Sequence, residues 1–196
     1  AGPLRAAGRA DRLPPPGQQI AVASDQAFGF SYTHMLEGWR AAGAEIMPFS
    51  PLADEVPAAD SDCIFLPGGY AELHLPALTG ARRSRGARRA AAARGVRIYG
   101  ECGGFMTLGE AIIDADGTAY PMAGLLRLET SFAARKLYLG YRGLTPLADF
   151  WPGLGPVTGH EFHYTTATTA EGDPLFEMRD AGDRDLGTAG LVEGPV

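Results

Sequence analysis

The sequence predicts an α/β domain: a parallel, helix-flanked sheet that gives way to an antiparallel or mixed extension toward the C-terminus. Three observations carry this reading. Short apolar runs alternate with stretches of helical spacing through residue 113. Beyond that point strand-like runs follow one another with little helix between them. A length of 196 residues, 45% apolar and 20% charged, suits one globular core and is too short for two full catalytic domains.

Residues 1–18 are rich in Ala, Arg, Gly and Pro and end in Leu13-Pro14-Pro15-Pro16-Gly17-Gln18. A triple proline neither continues a helix nor joins a sheet, so this stretch reads as a linker or irregular arm, with the ordered domain at 19–196. Ile20–Ala23 reads as a short buried strand, followed by the loop Ser24–Phe30. From Tyr32 to Ala42, Met35, Leu36 and Trp39 recur at helical spacing, and Gly43 follows as the residue just past the helix end. Strands are expected at Ala44–Phe49, Cys63–Leu66 and Val96–Tyr99, with Pro67-Gly68-Gly69-Tyr70 after the second of these. A helix is expected from about Pro76 to Arg94, with Gly80 or Gly86 as points of interruption, and another from Gly103 to Ile113. Leu125–Phe132, Leu137–Leu144, Val157–Thr166 and Leu191–Val196 complete the strand pattern.

Composition excludes several classes. Seventeen basic against twenty-three acidic side chains, net −6, argue against a general nucleic-acid binder. No apolar run approaches the roughly 18 residues that span a bilayer, and the first residues lack the apolar core of a signal peptide. Two cysteines make no disulfide framework, and with four dispersed histidines they lack the spacing of a structural zinc site; no metal is expected. A reducing, cytoplasmic setting is the expectation. The chain opens at Ala1 without methionine and is read as a piece of a longer polypeptide.

The segment Tyr99-Gly100-Glu101-Cys102-Gly103-Gly104 carries the strongest chemical signal. A strand runs into a glycine, a cysteine and two more glycines before a helix, the layout of a turn that lifts a nucleophile above the sheet. A helix N-terminus also favours a thiolate. The competing reading is an inert buried cysteine in a glycine-rich turn. Gly68 and Gly69, at the end of the preceding strand, can expose backbone N–H groups where an oxyanion develops; alone they would pass for a simple turn. Gly159-His160-Glu161-Phe162-His163-Tyr164 holds two histidines and a carboxylate. On a strand, Glu161 and His163 share one face and His160 takes the other, and either histidine is a pocket residue or base. Cys63 sits within an apolar strand and reads as core. The arginines from Arg82 to Arg97 read as a solvated helix face, with a phosphate or partner patch as the minority reading. His34 and His74 are placed at the surface or rim.

These motifs, in this order, together with the front loop Asp25–Phe30, Tyr32 and Leu36-Glu37, resemble the glutamine amidotransferase domain of cobyrinic or hydrogenobyrinic acid a,c-diamide synthases over residues 20–196. The resemblance implies a flavodoxin-like, class I, triad-type glutaminase. Cys102 would attack the glutamine amide and form a thioester, with Gly69 and the N–H of Gly103 as oxyanion donors and Gly68 beside them. Ammonia would pass to an ATP- and Mg²⁺-dependent synthetase domain preceding the proline-rich linker, which amidates the a and c carboxylates of the corrin in cobalamin biosynthesis. This domain would itself need no cofactor, and its partners would be glutamine and that synthetase domain, with neither nucleic acid nor membrane.

Two positions depart from the family pattern. Ala71 stands where proline is usual. The family's catalytic histidine lies in a late Gly-[Ser/Thr]-aromatic-x-His segment, and none of the four histidines maps onto it, since Gly190–Val196 ends about where that segment begins. The resemblance therefore leaves His160, Glu161 and His163 as pocket residues and predicts weak turnover by this chain alone. Two rival readings remain: a non-catalytic amidotransferase-like binding module, and a cysteine hydrolase.

Overall fold

A computed structural model describes residues 13–196, so most of the expected arm at 1–18 lies outside the described residues. What is described of it packs. Leu13 lies against the core, Pro16 is buried, and the Trp151 indole N–H donates to the Pro14 carbonyl at 2.9 Å.

The first half alternates as the patterning requires: β1 (Gln19–Ala23), α1 (Thr33–Ala41), β2 (Glu45–Phe49), β3 (Cys63–Leu66), α2 (Leu75–Gly80), α3 (Arg82–Ala93), β4 (Arg97–Gly100) and α4 (Gly103–Leu108). These four strands form one parallel sheet in the order β2-β1-β3-β4. Gly43 and Gly95, with φ of +95° and +82°, close α1 and α3 in the left-handed conformation that glycine adopts at no steric cost.

Strand alternation sorts the core into two layers. Ala21, Ala23, Ile64, Leu66 and Ile98 face one side, where Leu75, Leu78, Ala91 and Met106 from the helices cover them. Ile20, Val22, Cys63 and Phe65 face the other, against Trp39 of α1 and Phe150, Trp151 and Phe176. A sheet buried on both faces explains why its strands read as continuous apolar runs.

The second half builds two further sheets. The first, ordered β10-β7-β5-β6, contains β5 (Ala111–Ile113), β6 (Ala119–Pro121), β7 (Arg127–Ser131) and β10 (Thr166–Glu171). It is mixed, since β5 and β7 run parallel and its other pairs antiparallel. The second, ordered β12-β11-β8-β9, is antiparallel throughout and contains β8 (Tyr138–Pro146), β9 (Val157–His163), β11 (Phe176–Asp180) and β12 (Asp185–Ala189).

Several sequence expectations are corrected. The helix expected to reach Ile113 ends at Leu108, and β-branched Ile112-Ile113 become β5. Gly109 lies so close to β7 that a Cβ there would meet the Leu128 carbonyl oxygen at 2.4 Å, a contact no helix-pattern reading could contain. The interruption expected in the 76–94 helix near Gly80 or Gly86 falls at Ala81, next to Gly80, and α3 runs unbroken through Gly86. Val157–Thr166 splits into β9 and β10, which belong to different sheets. Leu191–Val196 is not a strand; only Val192 bridges, to Asp173. Strands β6, β11 and β12 escaped the sequence reading because charged and small residues mask their alternation.

The arginine stripe is also corrected, because three of its members turn inward. Arg88 is buried and donates to the Ser84 carbonyl, Arg85 donates to Pro121, Met122 and Thr79 carbonyls, and Arg89 to those of Ala123 and Met122. Arg85 and Arg89 clamp the turn after β6 to α3, whereas Arg88 bonds within α3 itself.

Candidate active site

In the parallel sheet, β1 has β2 on one side and β3 on the other, so the strand order reverses there. A crevice opens at the C-terminal ends of the strands at such a point. The loop after β1 and the loop after β3 meet in it, with the Phe30 N–H donating to the Gly68 carbonyl at 2.9 Å. The Asp25 carboxylate holds the first loop by accepting from Ala27 N, Ser50 Oγ and Leu52 N, each at 2.9 Å.

Cys102 lies between β4 and α4, with φ +50° and ψ −117°. A side-chain-bearing residue held there costs on the order of 1–3 kcal/mol, and the surroundings must over-determine it. Three backbone bonds do so: Glu101 N–H to Leu66 at 3.0 Å, Gly104 N–H to Glu101 at 2.8 Å, and Met106 N–H to Cys102 at 3.1 Å. Gly104 lets α4 press onto β3, since a Cβ there would stand 2.0 Å from the Leu66 oxygen. The sequence pattern Gly-x-Cys-Gly-Gly is thus read out as contact distance.

The cysteine is exposed at the foot of the crevice. Neighbouring protein atoms push its thiol pKa up, and the backbone N–H groups of Gly103 and Gly69, both directed at the sulfur, pull it back. The negative charges of Glu101 and Glu72 act with the desolvation. A Cβ on Gly68 would lie 3.2 Å from the Cys102 Cβ, so Gly68, Gly69 and Gly103 crowd one side of the sulfur. Gly69 is wedged as tightly on its other side, where a Cβ would stand 2.1 Å from the Ala27 oxygen.

The histidine-bearing strand divides as alternation requires. His160 comes to the crevice, with the Tyr32 hydroxyl 3.3 Å from its Nδ1. Burial raises the Tyr32 pKa, and the charges of Glu101 and Cys102 raise it further, so Tyr32 lies within electrostatic reach of the cysteine. His163 and Glu161 lie on the other face. His163 Nε2 is 2.9 Å from Glu161 Oε1 and its Nδ1 is 3.0 Å from the Thr165 carbonyl, which leaves neither ring nitrogen free. The ring also stacks on Tyr138 at 4.7 Å. Arg142 completes the group, its guanidinium 2.6 Å from Glu161 Oε2. Burial pushes the Glu161 carboxyl up, but hydrogen bonds from His163 and Arg142 outweigh it and hold the pKa below the usual value. These residues brace β8 against β9. Among the described residues no histidine hydrogen-bonds to the Cys102 sulfur.

Cys63 is fully buried, and burial pushes its thiol up to about 12. His34 is exposed, and His74 sits half-buried at the start of α2. Among the described residues no group of three or more His, Cys, Asp or Glu is placed to hold a metal ion, and no helix is long and apolar enough to cross a membrane.

Two site residues escaped sequence reasoning. Glu101 was read only as part of the elbow, yet its carboxyl is driven up to about 7 by burial, with the Gly68 N–H acting in the opposite direction. Tyr32 was read as a helix start, and only the crevice reveals what its hydroxyl meets. The adjacency of Glu101 to Cys102 is the signal that could have flagged the first; none places Tyr32 against His160, 128 residues away.

A strained cysteine with two backbone donors at its sulfur, on the crevice of a parallel sheet, defines a class of cysteine-centred α/β domain. Residues 19–195 match the CobB/CobQ-like glutamine amidotransferase domain, and the chain belongs to that family. It is 58% identical over 186 residues to the hydrogenobyrinate a,c-diamide synthase of Brucella abortus, covering 94% of this chain and 42% of that protein. It is 47% identical to the protein of that name from Rhodobacter capsulatus, covering 100% of this chain and 45% of that protein. The chain thus spans less than half the length of these curated relatives. A glutamine amidotransferase from Thermotoga maritima shares the fold, with a TM-score of 0.57 at 14% identity over 91% of this chain and 73% of that one. A second glutamine amidotransferase structure has a TM-score of 0.57 at 17% identity, over 85% and 82% of the two chains.

Proposed function

We propose that this chain is the glutaminase part of a hydrogenobyrinate a,c-diamide synthase and acts in cobalamin biosynthesis in the cytoplasm. The observation that carries the reading is Cys102 held at φ +50° with the Gly69 and Gly103 N–H groups aimed at its sulfur. In this reading the Cys102 thiolate attacks the side-chain carbonyl carbon of glutamine and a C–S bond forms. The carbonyl oxygen becomes an oxyanion that accepts from Gly69 and Gly103, donors already fixed before charge develops. Collapse breaks the C–N bond, ammonia leaves with an added proton, and water hydrolyses the γ-glutamyl thioester to glutamate.

Ammonia then goes to a synthetase domain elsewhere in the polypeptide, which uses ATP and Mg²⁺ to amidate the a and c carboxylates. The names of the relatives favour the metal-free corrin over the cobalt-bearing one. The proton donor for the leaving ammonia is not His163, whose nitrogens are both engaged. His160 engages the Tyr32 hydroxyl and has no hydrogen bond to Cys102, so a histidine from outside these 196 residues is the better source.

The experiment is labelling with a glutamine-like diazoketone in the full-length synthase, followed by glutamate assay. Alkylation at Cys102 with loss of glutaminase activity is the expected result. Labelling elsewhere, or glutamine turnover that survives Cys102 alkylation, refutes the assignment. A cysteine hydrolase would ignore the reagent. A binding module would show no glutamate release in the full-length protein.

A further inference from the structure

One face of the β8–β9 hairpin is apolar where a solvent face should be polar. Residues along both strands alternate strictly between half-buried and exposed. The exposed set includes Leu139 at 64%, Tyr141 at 69% and Phe162 at 46%, and Tyr164 lies just past the strand at 43%. Register places Leu139 opposite Phe162 and Tyr141 opposite His160, so these side chains are cross-strand neighbours on one surface. Phe162 and Tyr164 also pack edge to face, with ring centroids 5.7 Å apart.

The apolar character is confined to one end of the sheet. Farther along the same face the exposed positions are Thr145, Thr158, Glu177 and Arg179. The apolar end is the one that carries His160, whose ring meets Tyr32, a residue close enough to Cys102 to feel its charge. A clustered apolar patch beside a reactive crevice marks a contact surface more than scattered surface hydrophobes do.

We infer that the Leu139–Tyr141–Phe162 face is where the synthetase part of the same polypeptide docks, closing the mouth of the Cys102 crevice. The inference rests on the proposed function and adds the surface that function needs. Two facts select this occupant. More than half the length of the relatives lies outside the matched region, so a partner of domain size is available. The patch is also continuous with the crevice from which ammonia would leave, a small neutral molecule that is lost to bulk water wherever the seam between donor and acceptor sites is open.

The test uses full-length synthase with Leu139→Glu, Tyr141→Glu and Phe162→Glu combined, and a milder Leu139→Ser/Phe162→Ser pair should the triple variant misfold. Glutamate released and amide formed are measured together, with ammonia-supported amidation as the control. The expected result is glutamate release per amide rising on the order of tenfold, because carboxylates cannot be desolvated cheaply in an apolar contact, while ammonia-supported synthesis persists. Unchanged coupling in a folded variant overturns the inference. Unchanged coupling with a shift in oligomeric state by sedimentation also overturns it and assigns the face to a second copy of the chain. If wild-type synthase itself releases no glutamate, the proposed function fails first. If wild type is coupled and the variants stay coupled, only the docking inference fails.

Discussion

Gly69→Ala offers a sharp test of the site, because the structure states what the added methyl meets. Its Cβ would stand 2.1 Å from the Ala27 oxygen, 2.6 Å from the Ala27 carbonyl carbon and 2.9 Å from the Phe28 nitrogen. Ordinary contact begins near 3.4 Å, so the closest approach is short by about 1.3 Å. All three atoms are backbone, in a loop whose start the Asp25 carboxylate pins by three hydrogen bonds, so no side chain can swing aside. The Gly68–Gly69 loop must therefore retreat by roughly an ångström, carrying its N–H away from the Cys102 sulfur, beside which the proposed oxyanion would form. Loss of one such donor costs about 10²–10³ in kcat, or ~3–4 kcal/mol. Overpacking adds about 1–3 kcal/mol of destabilisation. The assay is steady-state glutamate release by the full-length synthase beside its ammonia-supported amidation. The expected outcome is a hundredfold or greater fall in the first, on the order given above, with the second retained. A folded variant that loses less than about tenfold would refute the placement of the Gly69 N–H in the oxyanion site.

Four other outcomes are expected. Cys102→Ala abolishes glutamine-dependent amidation and spares ammonia-dependent amidation, measured in the same two assays; equal loss of both would assign Cys102 to structure or to the synthetase step. The 196-residue chain releases glutamate at least about 10²-fold more slowly than a longer chain, because burial holds the Cys102 thiol above its ordinary pKa so that little of it is ionised, and no histidine hydrogen-bonds to its sulfur among the described residues; equal rates would make His160 the base. Glu101, lifted to about 7 by burial, keeps its proton in the folded state between its unfolded value and 7, so stability falls as pH rises through that window, by on the order of 3 kcal/mol. Thermal melts of Glu101→Gln between pH 4.5 and 7.5 should lose that slope, and its diazoketone labelling should shift to lower pH because the Glu101 charge raises the Cys102 pKa. Gly86→Ala, in an α3 position where a Cβ meets nothing within 4 Å, raises stability by about 0.5–1 kcal/mol in denaturant titration, and a loss of stability would contradict the open environment.

The parallel half of the fold was legible because its signals are local. Both faces of β1 and β3 are buried, so Ile20–Ala23 and Cys63–Leu66 are continuous apolar runs, and glycines mark where α1 and α3 stop. The elbow was legible for the same reason. Glycines 100, 103 and 104 around one cysteine state a steric requirement that few other structures impose.

The remainder depended on contacts distant in sequence. Nothing within Gly103–Ile113 announces that Gly109 must pass against Leu128, and this contact is what ends α4 and frees β5. Nothing in the arginine run announces carbonyls at 121–123, although those carbonyls turn a solvent-facing pattern inward. In Gly159–Tyr164, alternation alone determined that His160 and His163 part company. Which of them meets the crevice was decided by the packing of the antiparallel sheet against the loop after β1, where Tyr32 waits 128 residues away in sequence. A residue's neighbours along a strand follow from its covalent geometry, whereas its neighbours across the crevice follow from how whole layers settle, and only the folded chain contains that information.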